Sequence, residues 1–293
     1  MSESTHPLAD IQHVTVIGAG AMGSQIAMVS ALAGYVTALV DIADEYVVRA
    51  QSQLETRMNR DVEKGRRSQE DVTASFDRLT FTTDRDGSAA HTDFVIEAAV
   101  EDLGIKRELF AGLDRICPPH AILATNSSNI VSSRVADATH RPEKVCNVHF
   151  FNPALVMKCV EVVPHQGTSR ETVETAMELA RSIGKAPVEL KKEVPGFVAN
   201  RLLGALRSEA LKLYEDGVAD YKDIDVAAKT ALNHPMGPFE LMDMVGIDVV
   251  YLIRLAEYEQ TGDPASLPAK SVTEKYEAGD YGRKTGHGWY DYE

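Results

Sequence analysis

The sequence predicts an α/β chain in which an N-terminal doubly wound sheet is followed by an all-α C-terminal domain. Three observations carry that expectation. Short apolar runs alternate with helical patterns from the first strand to residue 190. A glycine turn joins the first apolar run directly to the first helical pattern. Beyond Pro195 helical periodicity continues with no convincing strand. At 293 residues the chain is long enough for two cores, placed at residues 1–194 and 195–293.

Residues 14–17 are β-prone and run into Gly18-Ala19-Gly20-Ala21-Met22-Gly23. Ile26, Val29 and Ala33 then recur at helical spacing, and Gly34 stands where a helix C-terminus favours φ > 0. A second apolar run, 36–40, ends in Asp41, 18 residues after Gly23. Strand, glycine turn, helix, strand and acid form the order of a Rossmann-type dinucleotide-binding unit. Gly18 permits the tight turn, Gly20 lets a pyrophosphate approach the backbone, and Gly23 lets helix and strand pack closely. The helix N-terminus offers N–H groups to phosphate. At Asp41 a carboxylate accepts from a ribose 2′-OH and repels a 2′-phosphate, which favours NAD over NADP.

Residues 42–78 read as one or two surface helices, with a basic group of Lys64, Arg66 and Arg67 near their middle. Strands follow at 94–98, 121–125, 145–151, 159–163 and 187–190, with helical stretches at 103–115, 130–138 and 170–183. Ser169 and Gly184 bracket the last of these. In the second domain a long helix is expected over 197–216, with Pro195 near its first turn and Gly217 as its stop. Shorter helices are expected over 223–232, 238–245, 248–260 and 271–278.

The net charge of −14 argues against nucleic acid or an anionic membrane surface as the main partner. Cys117, Cys146 and Cys159 are dispersed, which suggests neither a disulfide framework nor a metal site. The polar N-terminus lacks an apolar targeting core, and no apolar run approaches a membrane span. A cytoplasmic protein is expected.

Polar residues gather at strand ends, where ligands of open α/β sheets bind. Glu101 follows one strand, Asn126, Ser127 and Ser128 follow the next, and His149 and Asn152 end a third. Glu161 lies inside an otherwise buried strand and must be paired, because a lone buried charge is costly. His149 is its expected partner, and together they make a general base poised near neutral pH. Asn200 stands in the first turn or two of a helix, where Asn is a poor helix former; its amide either caps the helix N-terminus or is aimed at a ligand.

The segments VCNVHFFNPALVMKCVEVV, VPGFVANRLL, HPMGPFELMDMVGID and GRKTGHGWYDY, with IGAGAMGSQIA near the start, resemble the L-3-hydroxyacyl-CoA dehydrogenases in family order over nearly the whole chain. The resemblance implies oxidation of the 3-hydroxyl of an acyl-CoA, possibly of short chain, with hydride passing to NAD. It also implies a role in fatty-acid β-oxidation and a homodimer made by the helical domain. By the same resemblance, His149 is the base, Glu161 its orienting partner, Ser128 and Asn200 hold the 3-oxygen, and Asn152 lies at the nicotinamide end. Glu101, Lys106 and Lys284 are implied as further NAD contacts beside Gly18, Gly20, Gly23 and Asp41. Asn129 and Arg207 depart from the family pattern and leave the natural substrate open. A relative acting on a non-CoA hydroxy acid or aromatic alcohol, or a non-catalytic NAD-binding protein, are the alternatives.

Overall fold

The structure, a computed structural model, describes residues 11–292, and the chain divides into two compact units between Val198 and Ala199. The first unit holds an eight-stranded sheet: β1 (His13–Ile17), β2 (Val36–Val40), β3 (Leu79–Thr82), β4 (Phe94–Glu97), β5 (Ile122–Thr125), β6 (Val145–Phe150), β7 (Cys159–Pro164) and β8 (Ala186–Glu189). Its order is β3-β2-β1-β4-β5-β6-β7-β8. The first six of these are mutually parallel, while β7 runs antiparallel to β6 and β8 parallel to β7. Chain order reverses between β1 and β4, which opens a ligand crevice at their carboxyl ends.

Seven helices cover this sheet: α1 (Ala21–Leu32), α2 (Asp44–Glu63), α3 (Gln69–Asp77), α4 (Arg85–Ala89), α5 (Leu103–Ile116), α6 (Ser133–Ala136) and α7 (Arg170–Ser182). Both faces are buried, so the strands are apolar on consecutive residues rather than alternating with polar ones. Phe94 and Ile96 of β4 join Ile26 of α1 and Val173 of α7 in one core, and Val95 between them joins Phe110 and Leu113 of α5 in another. The expected α/β class is observed.

Three local differences have physical causes. Strand β3 and helix α4 were not expected; β3 buries only Leu79 fully, and α4 depends on Asp84, whose Oδ1 accepts from the Gly87 N–H at 2.9 Å. The helix expected over 130–138 shrinks to the four residues of α6. There the Ile130 N–H donates to Ser127 Oγ at 2.8 Å and the Ser132 N–H to Asn147 Oδ1 at 2.6 Å, so side chains take the bonds a first helical turn would make. Gly196 and Phe197 have φ values of +73° and +50°, so the long helix begins at Ala199 rather than at Phe197. Phe197 is buried with Val163 and Leu190, and that packing holds the irregular backbone.

The second unit contains α8 (Ala199–Glu215), α9 (Tyr221–Ala231), α10 (Pro238–Val245), α11 (Ile247–Thr261) and α12 (Lys270–Ala278). Its core centres on Phe239 and Trp289, whose ring centroids lie 4.6 Å apart edge to face. Buried Asp225 accepts from the Phe239 and Glu240 N–H groups, and buried Asp243 from those of Trp289 and Tyr290. Each carboxylate thereby satisfies two backbone donors that the fold removes from water. Among the described residues no helix is long and apolar enough to cross a membrane.

Candidate active site

The β1–α1 turn closes tightly for steric reasons. Gly18 has φ +105°, and a Cβ there would stand 2.6 Å from the Ala98 carbonyl oxygen; one on Gly23 would stand 1.8 Å from the Gly18 oxygen. A Cβ on Gly20 would meet nothing within 4 Å. Gly20 thus leaves the N-terminus of α1 open, and no side chain caps that terminus. A cavity of about 1090 Å³ lies alongside, lined by Gly18, Gly20, Asp41, Tyr46, Arg85 and Arg115 among others. Asp41 Oδ2 accepts from the Ala19 N–H at 2.6 Å, so the acid sits against the turn. An uncapped helix end, an open glycine and a carboxylate beside one cavity of that size fit a dinucleotide.

Farther along the carboxyl edge, His149 of β6 pairs directly with Glu161 of β7 in the antiparallel register. Directly paired residues share a face, so the side chains meet. Nδ1 of His149 lies 3.0 Å from Glu161 Oε2, and the other carboxylate oxygen accepts from the Val198 N–H at 2.9 Å. A carboxylate accepts, so Nδ1 carries the proton and Nε2 presents its lone pair. No hydrogen-bond partner engages Nε2 among the described residues. Phe151 and Phe197 contact the ring edge to face, at 4.5 and 5.4 Å. Burial in this aromatic setting lowers the His149 pKa below its ordinary value, with Glu161 and Glu101 opposing the shift. The imidazole is therefore neutral near pH 7 and able to take a proton.

A second acid network escaped the sequence reading. Glu97, the last residue of β4, is fully buried. Its Oε1 accepts from Lys106 Nζ at 2.5 Å and from the Ala99 N–H at 2.7 Å, and its Oε2 accepts from the Thr125 hydroxyl at 2.7 Å. Lys106, expected as a cofactor contact, is 1% exposed and does not line the cavity described above; its ammonium is the counter-charge of Glu97. Glu101 lies 3.5 Å from the same ammonium and accepts from the Ser127 hydroxyl. The acid in Phe94-Val95-Ile96-Glu97 was the available signal, since a carboxylate closing a fully buried strand needs a cation.

The network also orders the loop after β5. Asn147 Nδ2 donates to the Ser127 carbonyl at 3.0 Å, and Asn126 Oδ1 accepts from the Phe150 N–H at 2.8 Å. Held between them, Ser128 is partly exposed, and its hydroxyl has no partner among the described residues. Asn152 is exposed just beyond β6 and precedes a cis proline. Asn200 is the second residue of α8 and exposed. In that same unit Lys284 Nζ lies 2.5 Å from the Asp248 carboxylate.

The basic residues sort differently from their order in the chain. Arg66 is paired with Asp61 at 3.2 Å. Arg67 instead acts on Lys185 together with Lys158: partial burial, and then the charges of Lys158 and Arg67, bring the Lys185 pKa down to about 8. Lys185 Nζ donates to the Ala154 and Met157 carbonyls, which ties the loop after β6 to the start of β8. None of the three cations has a carboxylate partner among the described residues.

Comparison with known proteins gives the family. Residues 13–194 match the family model of the 3-hydroxyacyl-CoA dehydrogenase NAD binding domain, and residues 196–292 that of the same family's C-terminal domain. The chain is 40% identical over 284 residues to a probable 3-hydroxybutyryl-CoA dehydrogenase of Bacillus subtilis, covering 97% of this chain and 98% of that one. It is 38% identical over 288 residues to the human mitochondrial hydroxyacyl-coenzyme A dehydrogenase, covering 96% and 91%. The crystal structure of the (S)-3-hydroxybutyryl-CoA dehydrogenase of Ralstonia eutropha superposes with a TM-score of 0.87 at 34% identity, covering 97% of this chain and all of that one. With an NAD-binding domain and a helical domain that both match, the chain belongs to the 3-hydroxyacyl-CoA dehydrogenase family.

Proposed function

We propose that the protein oxidises the 3-hydroxyl of an L-3-hydroxyacyl-CoA to the ketone, with the NAD-binding domain ending at residue 194 and the helical domain beginning at Pro195. One observation carries the reading. Among the described residues His149 keeps an unpartnered Nε2 while Glu161 fixes Nδ1, on the sheet edge that also bears the glycine turn. Nε2 takes the hydroxyl proton as the C3–H bond breaks, and Glu161 stabilises the imidazolium that results. Ser128 and Asn200 hold the 3-oxygen on the family pattern, and Asn152 borders the nicotinamide. Gly18, Gly20, Gly23 and Asp41 hold the dinucleotide, with Glu101 and Lys284 as further contacts. NAD, when bound, supplies the hydride acceptor.

Arg67, Lys158 and Lys185 support a CoA ester over a free hydroxy acid. All three are cations without a carboxylate partner among the described residues, and Lys158 and Lys185 precede β7 and β8 on the same edge as His149. Phosphates of the CoA nucleotide neutralise such a cluster. NADH formation from NAD and a series of L-3-hydroxyacyl-CoAs tests the activity, and the matching pantetheine thioesters test the nucleotide's part. Turnover that ignores removal of the nucleotide shifts the assignment to a non-CoA hydroxy substrate. Silence across the series with NAD still bound leaves a non-catalytic NAD-binding protein.

A homodimer formed through the helical unit belongs to this proposal. Leu202, Leu252 and Ile253 of that unit are about half exposed or more, a share of apolar surface suited to an interface. Sedimentation equilibrium checks it. The three free thiols suit the reducing cytoplasm, where we place a role in fatty-acid β-oxidation. Localisation of a tagged full-length chain tests the compartment.

A further inference from the structure

Helix α8 carries a feature that the 3-hydroxyl chemistry does not use. Asn200, Gly204 and Arg207 are spaced i, i+4 and i+7, and this places Asn200 and Arg207 about 20° apart around the axis and about 10 Å apart along it. The same stripe runs from exposed Asn200 through partly exposed Gly204 and Arg207 into Leu211, which is buried. Between the two polar residues the surface is open: a Cβ on Gly204 would meet nothing within 4 Å.

Arg207 closes that open stretch with a guanidinium that no carboxylate pairs directly among the described residues. It is half-buried and makes no hydrogen bond or ion pair among the described residues. Arg254 stands near it, and the carboxylate within reach, Glu257, is engaged by Arg254 at 2.7 Å. Burial, and then the Arg254 charge, lower the Arg207 pKa from its usual value, with Glu257 opposing the shift. A partly desolvated guanidinium beside a second cation is unfavourable until an anion arrives. Helical side chains lean toward the N-terminus, so the guanidinium reaches back along the open stretch toward Asn200.

We infer that Arg207 reads a carboxylate at the far end of the acyl chain, so that the preferred substrate is a 3-hydroxyacyl-CoA with an ω-carboxylate. The inference rests on the reading that Asn200 holds the 3-oxygen. With that oxygen at Asn200, an acyl chain laid over Gly204 brings its terminus to Arg207 after two or three methylenes. A plain alkyl chain of equal length would bury itself against a partly buried cation. The arrangement therefore selects for the diacid and against the monoacid at once.

The test compares L-3-hydroxyadipyl-CoA with L-3-hydroxyhexanoyl-CoA, which have equal chain length and differ in the terminal carboxylate. In the wild type kcat/KM is expected to favour the first by about tenfold or more, the scale of a charge-assisted hydrogen bond. Arg207→Met is expected to cut that ratio by about the same factor, and Arg207→Lys to restore part of it. A wild-type enzyme that turns over the hexanoyl ester without preferring the diacid overturns the inference and leaves the dehydrogenase reading standing. So does a ratio that Arg207→Met leaves unaltered, including the case where the variant changes only the oligomeric state. Absence of turnover with either ester defeats the underlying reading itself.

Discussion

His149 and Glu161 face each other across the β6–β7 pair, Nδ1 to Oε2 at 3.0 Å, and Glu161 spends its second oxygen on the Val198 N–H at 2.9 Å. The acid is thus fixed from both sides and fixes the imidazole in turn. His149→Ala is expected to lower kcat by about 10²–10⁴-fold, the range of a general base, while NADH affinity measured by fluorescence changes little. Turnover equal to wild type would remove His149 from the mechanism.

The pH profile follows from the same pair. Burial is the largest influence on His149 and lowers its pKa; Glu161 and Glu101 raise it. The acid limb of kcat/KM is expected below the ordinary imidazole value of 6.5. Glu161→Gln removes a raising influence, so its acid limb moves lower still as the rate falls. A limb that moves upward contradicts this assignment. Stability has a matching sign: the folded state binds this proton more weakly than the unfolded chain. The contribution is fully present above 6.5 and is lost as pH falls through the lowered folded value.

Lys106 and Glu97 make a pair in which neither side chain is more than 1% exposed. Removing one partner strands the other. Lys106→Met alone is expected to destabilise the protein by about 3–5 kcal/mol in urea unfolding. The double variant Glu97→Gln with Lys106→Met is expected to recover much of that loss, because no charge then remains buried. Equal losses in single and double variants count against an ion pair as the stabilising element.

Asp41 meets the glycine turn directly, Oδ2 accepting from the Ala19 N–H at 2.6 Å. A 2′-phosphate placed here faces a carboxylate. Asp41→Ser is expected to reduce the kcat/KM preference for NAD over NADP by about tenfold or more, mostly through poorer use of NAD and relief of that repulsion. An unaltered preference would place cofactor choice elsewhere in the cavity, with Arg85 and Arg115 the next residues to vary.

Much of this was legible before the fold was known, and the reasons are local. The glycine turn, Asp41 and the His149–Glu161 pair are read from period-two and period-3.6 patterns, and a strict strand alternation already puts Asn147 and His149 on one face. Glu97 was missed because its need for Lys106 appears only when β4 and α5 are packed together. The start of α8 was misplaced because Phe197 adopts φ +50° to fill a gap beside Leu190, a demand of tertiary packing that overrides helix preference. Residues 130–138 look helical until side chains from β6 and the preceding loop take their N–H groups. The basic residues were read by adjacency, yet the fold separates Arg66 from Arg67 and gives Arg67 to Lys158 and Lys185.

That regrouping yields a prediction about the CoA moiety. Burial lowers the Lys185 pKa to about 8, and the charges of Lys158 and Arg67 add to the shift, so the cluster carries a mutual repulsion that a bound phosphate relieves. Arg67→Ala and Lys158→Ala are expected to raise KM for an acyl-CoA by about three- to tenfold each, with kcat at saturation little altered, because the lost contact is equally present in ground and transition states. Lys185 is the wrong residue to vary first, since its ammonium also holds the Ala154 and Met157 carbonyls. Salt should imitate the substitutions: raised ionic strength increases the wild-type KM and affects the double variant far less. The pantetheine thioester supplies the control. With no nucleotide to bind, its KM should be the same in wild type and variants; a parallel rise there would mean that the two side chains support the loop after β6 rather than the phosphates.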